Sequence, residues 1–209
     1  MAADRKILVA TRSSGKLREL WGILDEAGLN GISLVDAGIV ESPAEEGIEC
    51  FDTFEANSLA KARYFNRLSG LPTVADDSGL SVDALGGAPG VWSKRYSGRS
   101  DLSGQALDDA NNEKLLSELA GFRDVGARYS CAAAFVDGDV EVVEIGETFG
   151  KIVRDPRGDE GFGYDPYFFS TELNRTFGEA SVEEKQLVSH RGRAFRALVS
   201  ALREQGVAI

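Results

Sequence analysis

The stretch 74-VADDSGLSVDALGGAPG-90 sets an apolar approach against two adjacent carboxylates, Asp76 and Asp77, and follows them at once with Ser78 and Gly79. Its reading decides the fold, because Asp, Ser and Gly reverse chains, whereas the apolar approach has the character of a strand. In an extended strand consecutive side chains point to opposite faces. The two aspartates therefore cannot both face one ligand unless the chain turns between them, and one of them dominates any site.

Upstream, KILVAT (6 to 11) is an apolar run of strand length, and Leu17, Leu20, Trp21 and Leu24 follow at helical spacing. A second strand is expected at GISLVDA (31 to 37), then a long loop through ESPAEEGIECFD (41 to 52), which is rich in acids, Pro and Gly. Phe54, Leu59, Ala62, Phe65 and Leu68 predict a helix that Gly70 and Pro72 stop. Downstream, a loop from Ala84 to about Gly104 precedes a helix over 105 to 119, whose first half is weakened by Asp108, Asp109, Asn111 and Asn112. Two long strands, GARYSCAAAFVDG and DVEVVEIGETFGKIV, meet at Asp137-Gly138 and are expected to pair antiparallel. Helical material begins near Val182, and a last helix begins near Ser189 with Ala194, Phe195, Leu198 and Leu202 on one face. No repeat or linker interrupts the chain, so an α/β protein with a mixed sheet and a single domain, residues 1 to 209, is expected.

Composition narrows the function. The chain has 209 residues, 43% hydrophobic and 27% charged, the balance of an ordinary soluble protein with a proper core. A formal net charge of -11 repels polyanions and argues against nucleic acid or an anionic membrane as partner, while a small anion carried with a metal ion stays compatible. No apolar run reaches the roughly 20 residues of a membrane span, and no signal-peptide pattern opens the chain, so a cytoplasmic location is expected. Cys50 and Cys131 stand far apart and outside any C-x-x-C spacing, which suits two structural thiols better than a disulfide framework or a zinc site.

Four stretches carry candidate chemistry. In ATRSSGKLREL (10 to 20), a Thr-Ser-Ser-Gly loop between strand and helix exposes N-H groups and hydroxyls at the positive end of a helix dipole, with Lys16 beside it. Ala10 and Leu17 break the Walker pattern, and Ser capping of the helix is the plainer use of the same residues. In SHRGRAFRAL (189 to 198), His190, Arg191 and Arg193 place cations in a first helical turn, where the dipole opposes them unless an anion lies across it. EGFGYDP (160 to 166) offers two glycines for close backbone approach and aromatic faces at Phe162 and Tyr164, as a ligand loop or as a turn into core aromatics. A Mg²⁺ ion is usually held by one or two carboxylates plus substrate phosphates, so a partner for the aspartate is sought in the acidic loop, at Glu45 or Glu46.

Taken in order, TRSSGK, TFEANSLAKA (53 to 62), ADDSGLSVDALGGAPGVWSKRYSG (75 to 98), and GFGYDP with EEKQLVSHRG (183 to 192) resemble the Ham1/inosine triphosphate pyrophosphatase family over nearly the whole chain. The resemblance implies a homodimer with a long mixed sheet flanked by helices, and two lobes with a substrate cleft between them. It also implies Mg²⁺-dependent hydrolysis of ITP, dITP or XTP to the nucleoside monophosphate and pyrophosphate. Carried over residue by residue, Asp77 is general base and metal ligand, and Ser78 touches substrate. Thr11, Arg12, Ser13, Ser14, Gly15 and Lys16 form a phosphate loop. Phe162, Gly163, Tyr164 and Asp165 line the nucleotide pocket, Lys185 contacts substrate, and His190 with Arg191 make the closing contacts to base and phosphate. Glu45 is taken as the second metal ligand, and Asp76 keeps a turn or supporting role.

The chain departs from the family pattern at Ser13, where the family usually carries Asn, and in the longer spacing between the acidic loop and TFEANS. The Ser13 change keeps a non-catalytic nucleotide-binding protein in view as the rival reading. A pyrophosphatase of the related Maf type is disfavoured by the purine-family motifs.

Overall fold

The computed structural model describes residues 5–209. Strand β1 (Lys6–Val9) leads into helix α1 (Ser14–Ala27), and β2 (Asn30–Ser33) runs parallel to β1. Helix α2 (Phe54–Ser69) starts at a Thr53 cap and precedes β3 (Thr73–Val82), which also pairs parallel with β1. Then follow α3 (Gly104–Glu118), β4 (Gly126–Asp137), β5 (Val140–Ile152), β6 (Phe168–Ser170), β7 (Arg175–Thr176), α4 (Val182–Val188) and α5 (His190–Glu204). The seven strands form one sheet in the order β2-β1-β3-β4-β5-β6-β7. Adjacent β4 and β5 are joined by two residues, a link that only antiparallel strands can use. With β6 antiparallel to both β5 and β7, the sheet is mixed, as expected.

The chain divides into two compact units, and the divisions fall inside β3, β4 and β5 and after the first residue of α5. Of the described residues, the first unit comprises those up to Asp77, Cys131–Gly146 and Arg191–Ile209, and the second Ser78–Ser130 and Glu147–His190.

Strand alternation builds the first unit. Ile7, Val9, Val74, Cys131, Ala133 and Phe135 pack with Leu20, Ile23 and Leu24 of α1 and with Ala194, Phe195, Leu198 and Leu202 of α5. Their alternates Leu8, Ala10, Ala75, Ala134 and Val136 pack with Ala62 and Phe65 of α2. Both faces of these strands are covered, which is why they read as continuous apolar runs. In the second unit, Leu80, Val82, Leu115, Leu119, Tyr129, Ile152, Tyr164, Phe168 and Phe177 form a separate core.

Several local expectations change. The second strand ends at Ser33, because the Ser33 hydroxyl accepts the Asp36 N–H at 3.0 Å and donates to the Asp36 carboxylate at 2.6 Å, which turns the chain. Leu68 continues the α2 periodicity but is 56% exposed, since the core of that face ends at Phe65. Cys131 is a core thiol as expected, whereas Cys50 is exposed. Most importantly, Asp76 through Gly79 do not turn: β3 runs straight through them.

At Gly150 of β5, an added Cβ would fall inside contact distance of the Phe169 carbonyl and the Phe168 ring on the neighbouring β6. Gly150→Ala is expected to destabilise the protein by about 1–3 kcal/mol through overpacking, read as a lowered urea midpoint.

Candidate active site

Because β3 stays extended, Asp76 and Asp77 point to opposite faces of the sheet, and each meets a different set of partners. Asp76 follows Val74 onto the α1/α5 face, where it is 0% exposed. Its Oδ2 accepts from Arg191 Nε at 3.0 Å and lies 3.1 Å from Lys16 Nζ. Arg191, only 1% exposed, also donates through Nη1 to Glu19 of α1. Burial by itself would raise the Asp76 carboxyl, but Lys16, Arg191 and Lys61 outweigh it and hold the group well below the usual carboxylate range. Burial also opposes the charge on Arg191, yet Asp76 and Glu19 keep its pKa above the ordinary value.

Asp77 follows Ala75 onto the α2 face. Asn57 Nδ2 donates to its Oδ2 at 2.9 Å, and Asn57 is itself held by the Phe51 backbone through both its oxygen and its nitrogen. Lys61, one turn further along α2, donates to the backbone carbonyl of Asp76 at 2.5 Å and to the Glu49 carboxylate. Burial pushes the Asp77 carboxyl up; Lys16, Lys61 and the Asn57 hydrogen bond pull it down, Glu49 pushes it up, and the net direction is upward. Glu49 goes the other way, because Lys61 and Lys16 overcome its desolvation.

The phosphate-loop candidates divide. Ser13 caps α1, its hydroxyl accepting the Lys16 N–H at 3.3 Å, and Thr11 Oγ1 accepts the Ser13 N–H at 3.2 Å. Ser14 and Gly15 open the helix, and Lys16 reaches Asp76. Arg12 points elsewhere, making a paired contact with Glu45 at 2.8 and 3.1 Å and donating to the Ile39 carbonyl.

Two of these residues meet partners that the sequence did not indicate. Glu45 is bound to Arg12 and closes a capping box with Ser42, while the acid whose charge acts on Asp77 is Glu49. Its sequence signal was its place just before the Thr53 cap, which the more conspicuous Glu45-Glu46 pair obscured. Arg191, expected with His190 at the base and phosphate, is buried against Asp76 and Glu19. Asn57, Lys61 and Glu19 carry no signal in the sequence, because helical periodicity marks which face a residue lies on and not which strand end it meets.

In the second unit, Ser78 is half-buried on β3. Lys185 is 4% exposed, donates to Asp165 Oδ2 at 2.6 Å, and stands 5.0 Å from the Phe162 ring centre and 5.3 Å from that of Phe177. The same Asp165 oxygen accepts the Phe162 N–H at 2.8 Å. His190 stacks on Tyr129, with ring centres 4.6 Å apart and planes within 8°. Tyr164 belongs to the core, its hydroxyl donating to the Ser93 carbonyl at 2.8 Å. The structure thus brings Phe162, Asp165 and Lys185 together and gives Tyr164 a packing role.

Among the described residues, no group of three or more His, Cys, Asp or Glu side chains is arranged to hold a metal. Asp77 with Glu49 nevertheless fits the smaller requirement of Mg²⁺, which takes one or two carboxylates and completes its shell with phosphate oxygens and water. The upward push of Glu49 on Asp77 is the repulsion that a divalent cation would relieve. Among the described residues, no helix is long and apolar enough to cross a membrane.

The two aspartates should separate in stability. The depressed Asp76 contributes stability above the free carboxyl pKa and loses it as pH falls; the raised Asp77 contributes below that value and loses it as pH rises. At neutral pH, Asp76→Asn is expected to cost about 3–5 kcal/mol, because buried cations lose their counterion. Asp77→Asn should keep or raise the urea midpoint.

A sequence profile of the Ham1 family matches residues 7–201. A Mycobacterium tuberculosis protein named dITP/XTP pyrophosphatase is 50% identical over 205 residues, covering 97% of this chain and 98% of its own. Among solved structures, a HAM1 protein from Coxiella burnetii matches with a TM-score of 0.80 at 34% identity, over 96% of this chain and 99% of that one. A Mycobacterium abscessus structure described as a nucleoside-triphosphatase / dITP/XTP pyrophosphatase matches with a TM-score of 0.69 at 45% identity, over 92% and 98%. Motif order, mixed sheet and near-complete coverage agree, and the chain belongs to the Ham1 family.

Proposed function

We propose that this protein is a nucleoside triphosphate pyrophosphatase that hydrolyses ITP, dITP and XTP to the nucleoside monophosphate and pyrophosphate with Mg²⁺. The observation that carries the reading is Asp77, a buried carboxylate raised above its ordinary pKa and oriented by Asn57, with Glu49 and Lys61 beside it. The name of the Mycobacterium tuberculosis relative supports the substrate class. In this reading residues 1 to 209 are one bilobed catalytic domain, and the protein is a cytoplasmic homodimer that binds neither nucleic acid nor membrane.

The residues then act as follows. Water attacks the α-phosphorus, forming a new P–O bond as the bond to pyrophosphate breaks, and Asp77 takes the water's proton. Its raised pKa makes it a better base than an exposed aspartate, and the Asn57 amide holds the carboxylate plane. Asp77 and Glu49 would hold Mg²⁺, which supplies neutralisation of the phosphate charge. Lys61, anchored between Glu49 and the Asp76 carbonyl, and Lys16, anchored on Asp76, keep positive charge beside the carboxylates. Thr11, Ser13, Ser14, Gly15 and Lys16 of the first unit, and Ser78, Phe162, Gly163, Asp165, Lys185 and His190 of the second, are the groups proposed to meet the nucleotide.

Base choice follows from hydrogen-bond chemistry. Hypoxanthine and xanthine present a 6-oxo acceptor where adenine presents an amino donor, and a buried donor rejects the mismatched base by about 10⁴–10⁵, whereas size exclusion gives about 10–200.

Purified protein with Mg²⁺ is expected to release pyrophosphate from ITP, dITP or XTP far faster than from ATP or GTP, measured by product analysis over the substrate panel. Equal rates on all five overturn the specificity, and binding without turnover favours a nucleotide sensor. Glu49→Gln is expected to raise the Mg²⁺ concentration needed for half-maximal rate, while Glu45→Gln leaves it near the wild-type value.

A further inference from the structure

The polar run Asp108-Asp109-Ala110-Asn111-Asn112 weakens helix propensity in the middle of α3, yet the helix forms through it. The side chains of this run account for the cost. Asp108 and Asn112 lie one turn apart on the same face of the helix. Asp108 Oδ2 accepts the Gly163 N–H at 3.0 Å, and Asn112 Nδ2 donates to the Gly163 carbonyl at 3.0 Å. Both backbone groups of one glycine are therefore held by a single helix. Asn111 does similar work on another segment, accepting the Ser97 N–H at 2.8 Å and donating to the Lys94 carbonyl at 3.0 Å.

Gly163 sits in the middle of the GFGYDP loop with φ of 64°, a backbone conformation that side chains rarely adopt. On either side of it stand the groups proposed to meet the nucleotide. The Phe162 N–H donates to Asp165 Oδ2 at 2.8 Å, and that oxygen also receives Lys185 Nζ at 2.6 Å. Lys185 in turn lies over the Phe162 ring at 5.0 Å. A shift of Gly163 moves the two ends of this closed set relative to each other.

We propose that Asp108 and Asn112 are positioning residues: they clamp the backbone of Gly163 to α3 and so set where Phe162 and the Asp165–Lys185 pair stand for the nucleotide. This rests on the proposed function, in which the loop lines the nucleotide pocket. The clamp acts on ground-state binding and not on the reacting atoms, so its loss falls on KM. Asp108 is the better probe, being half-buried where Asn112 is buried, so its replacement is expected to disturb the fold less.

Steady-state kinetics on dITP, with amide hydrogen exchange of Gly163 followed by NMR, test it. Asp108→Ala is expected to raise KM about two- to tenfold, the worth of one hydrogen bond, with kcat within about twofold of wild type. Its Gly163 amide should exchange faster by a similar factor while core amides of β4 do not change. Asp108→Asn, whose amide oxygen still accepts the Gly163 N–H, should restore both values, a rescue that a purely packing role would not show. Asn112→Asp, which replaces the donor with an acceptor, should raise KM as well; if it does not fold, the Asp108 pair decides alone. Wild-type protein without turnover on ITP, dITP and XTP overturns the functional reading together with this inference. An active wild type whose Asp108→Ala variant keeps its KM, whether or not Gly163 exchange changes, overturns the clamp alone.

Discussion

The buried contact of Asp76 with Arg191 and Lys16 joins β3, α5 and α1 at one carboxylate oxygen. Taking these charges out of water is expensive, and a buried ion cluster is seldom a net source of stability. Its use is to specify arrangement, because each member is tolerable only with the others in place. It also accounts for the unfavourable cation in the first turn of α5: Arg191 faces the positive end of its own helix dipole, and Asp76 and Glu19 offset that cost. The anion that such a helix start calls for is supplied by the protein's own side chains.

With Asp76 occupied on one face, Asp77 is left to the other. The two carboxylates are adjacent in sequence and opposite in chemistry: the first is kept ionised by three cations, and the second is pushed toward its neutral form by burial and by Glu49. Environments that drive paired titratable groups apart are characteristic of acid–base sites. Asn57, Lys61 and the α2 cap at Thr53 bring the acidic loop up to Asp77, so the helix start determines which glutamate arrives.

The loop of the second unit is held by other means. Lys185 pairs with Asp165 beside the Phe162 and Phe177 rings, and the backbone of the loop is tied to α3 by short polar side chains. The same residues that lower helix propensity are those that satisfy the loop, a local conflict resolved at tertiary level.

Apart from the short β6 and β7, which no expected strand covers, the order of strands and helices was legible from the sequence, because apolar periodicity and caps such as Ser13, Thr53 and Gly70 act through neighbours in the chain. Alternation alone also established that only one of Asp76 and Asp77 can serve a given site. It did not establish that the pair lies within a strand, since turn chemistry and strand pairing compete for Asp-Asp-Ser-Gly, and the sheet partners that settle the competition are distant in sequence. Nor did it show that Glu49 meets Lys61 while Glu45 meets Arg12, or that Arg191 is buried against Asp76 and Glu19. Those outcomes depend on which opposite charge a side chain meets across the fold, a long-range electrostatic and packing fact that only the tertiary structure decided.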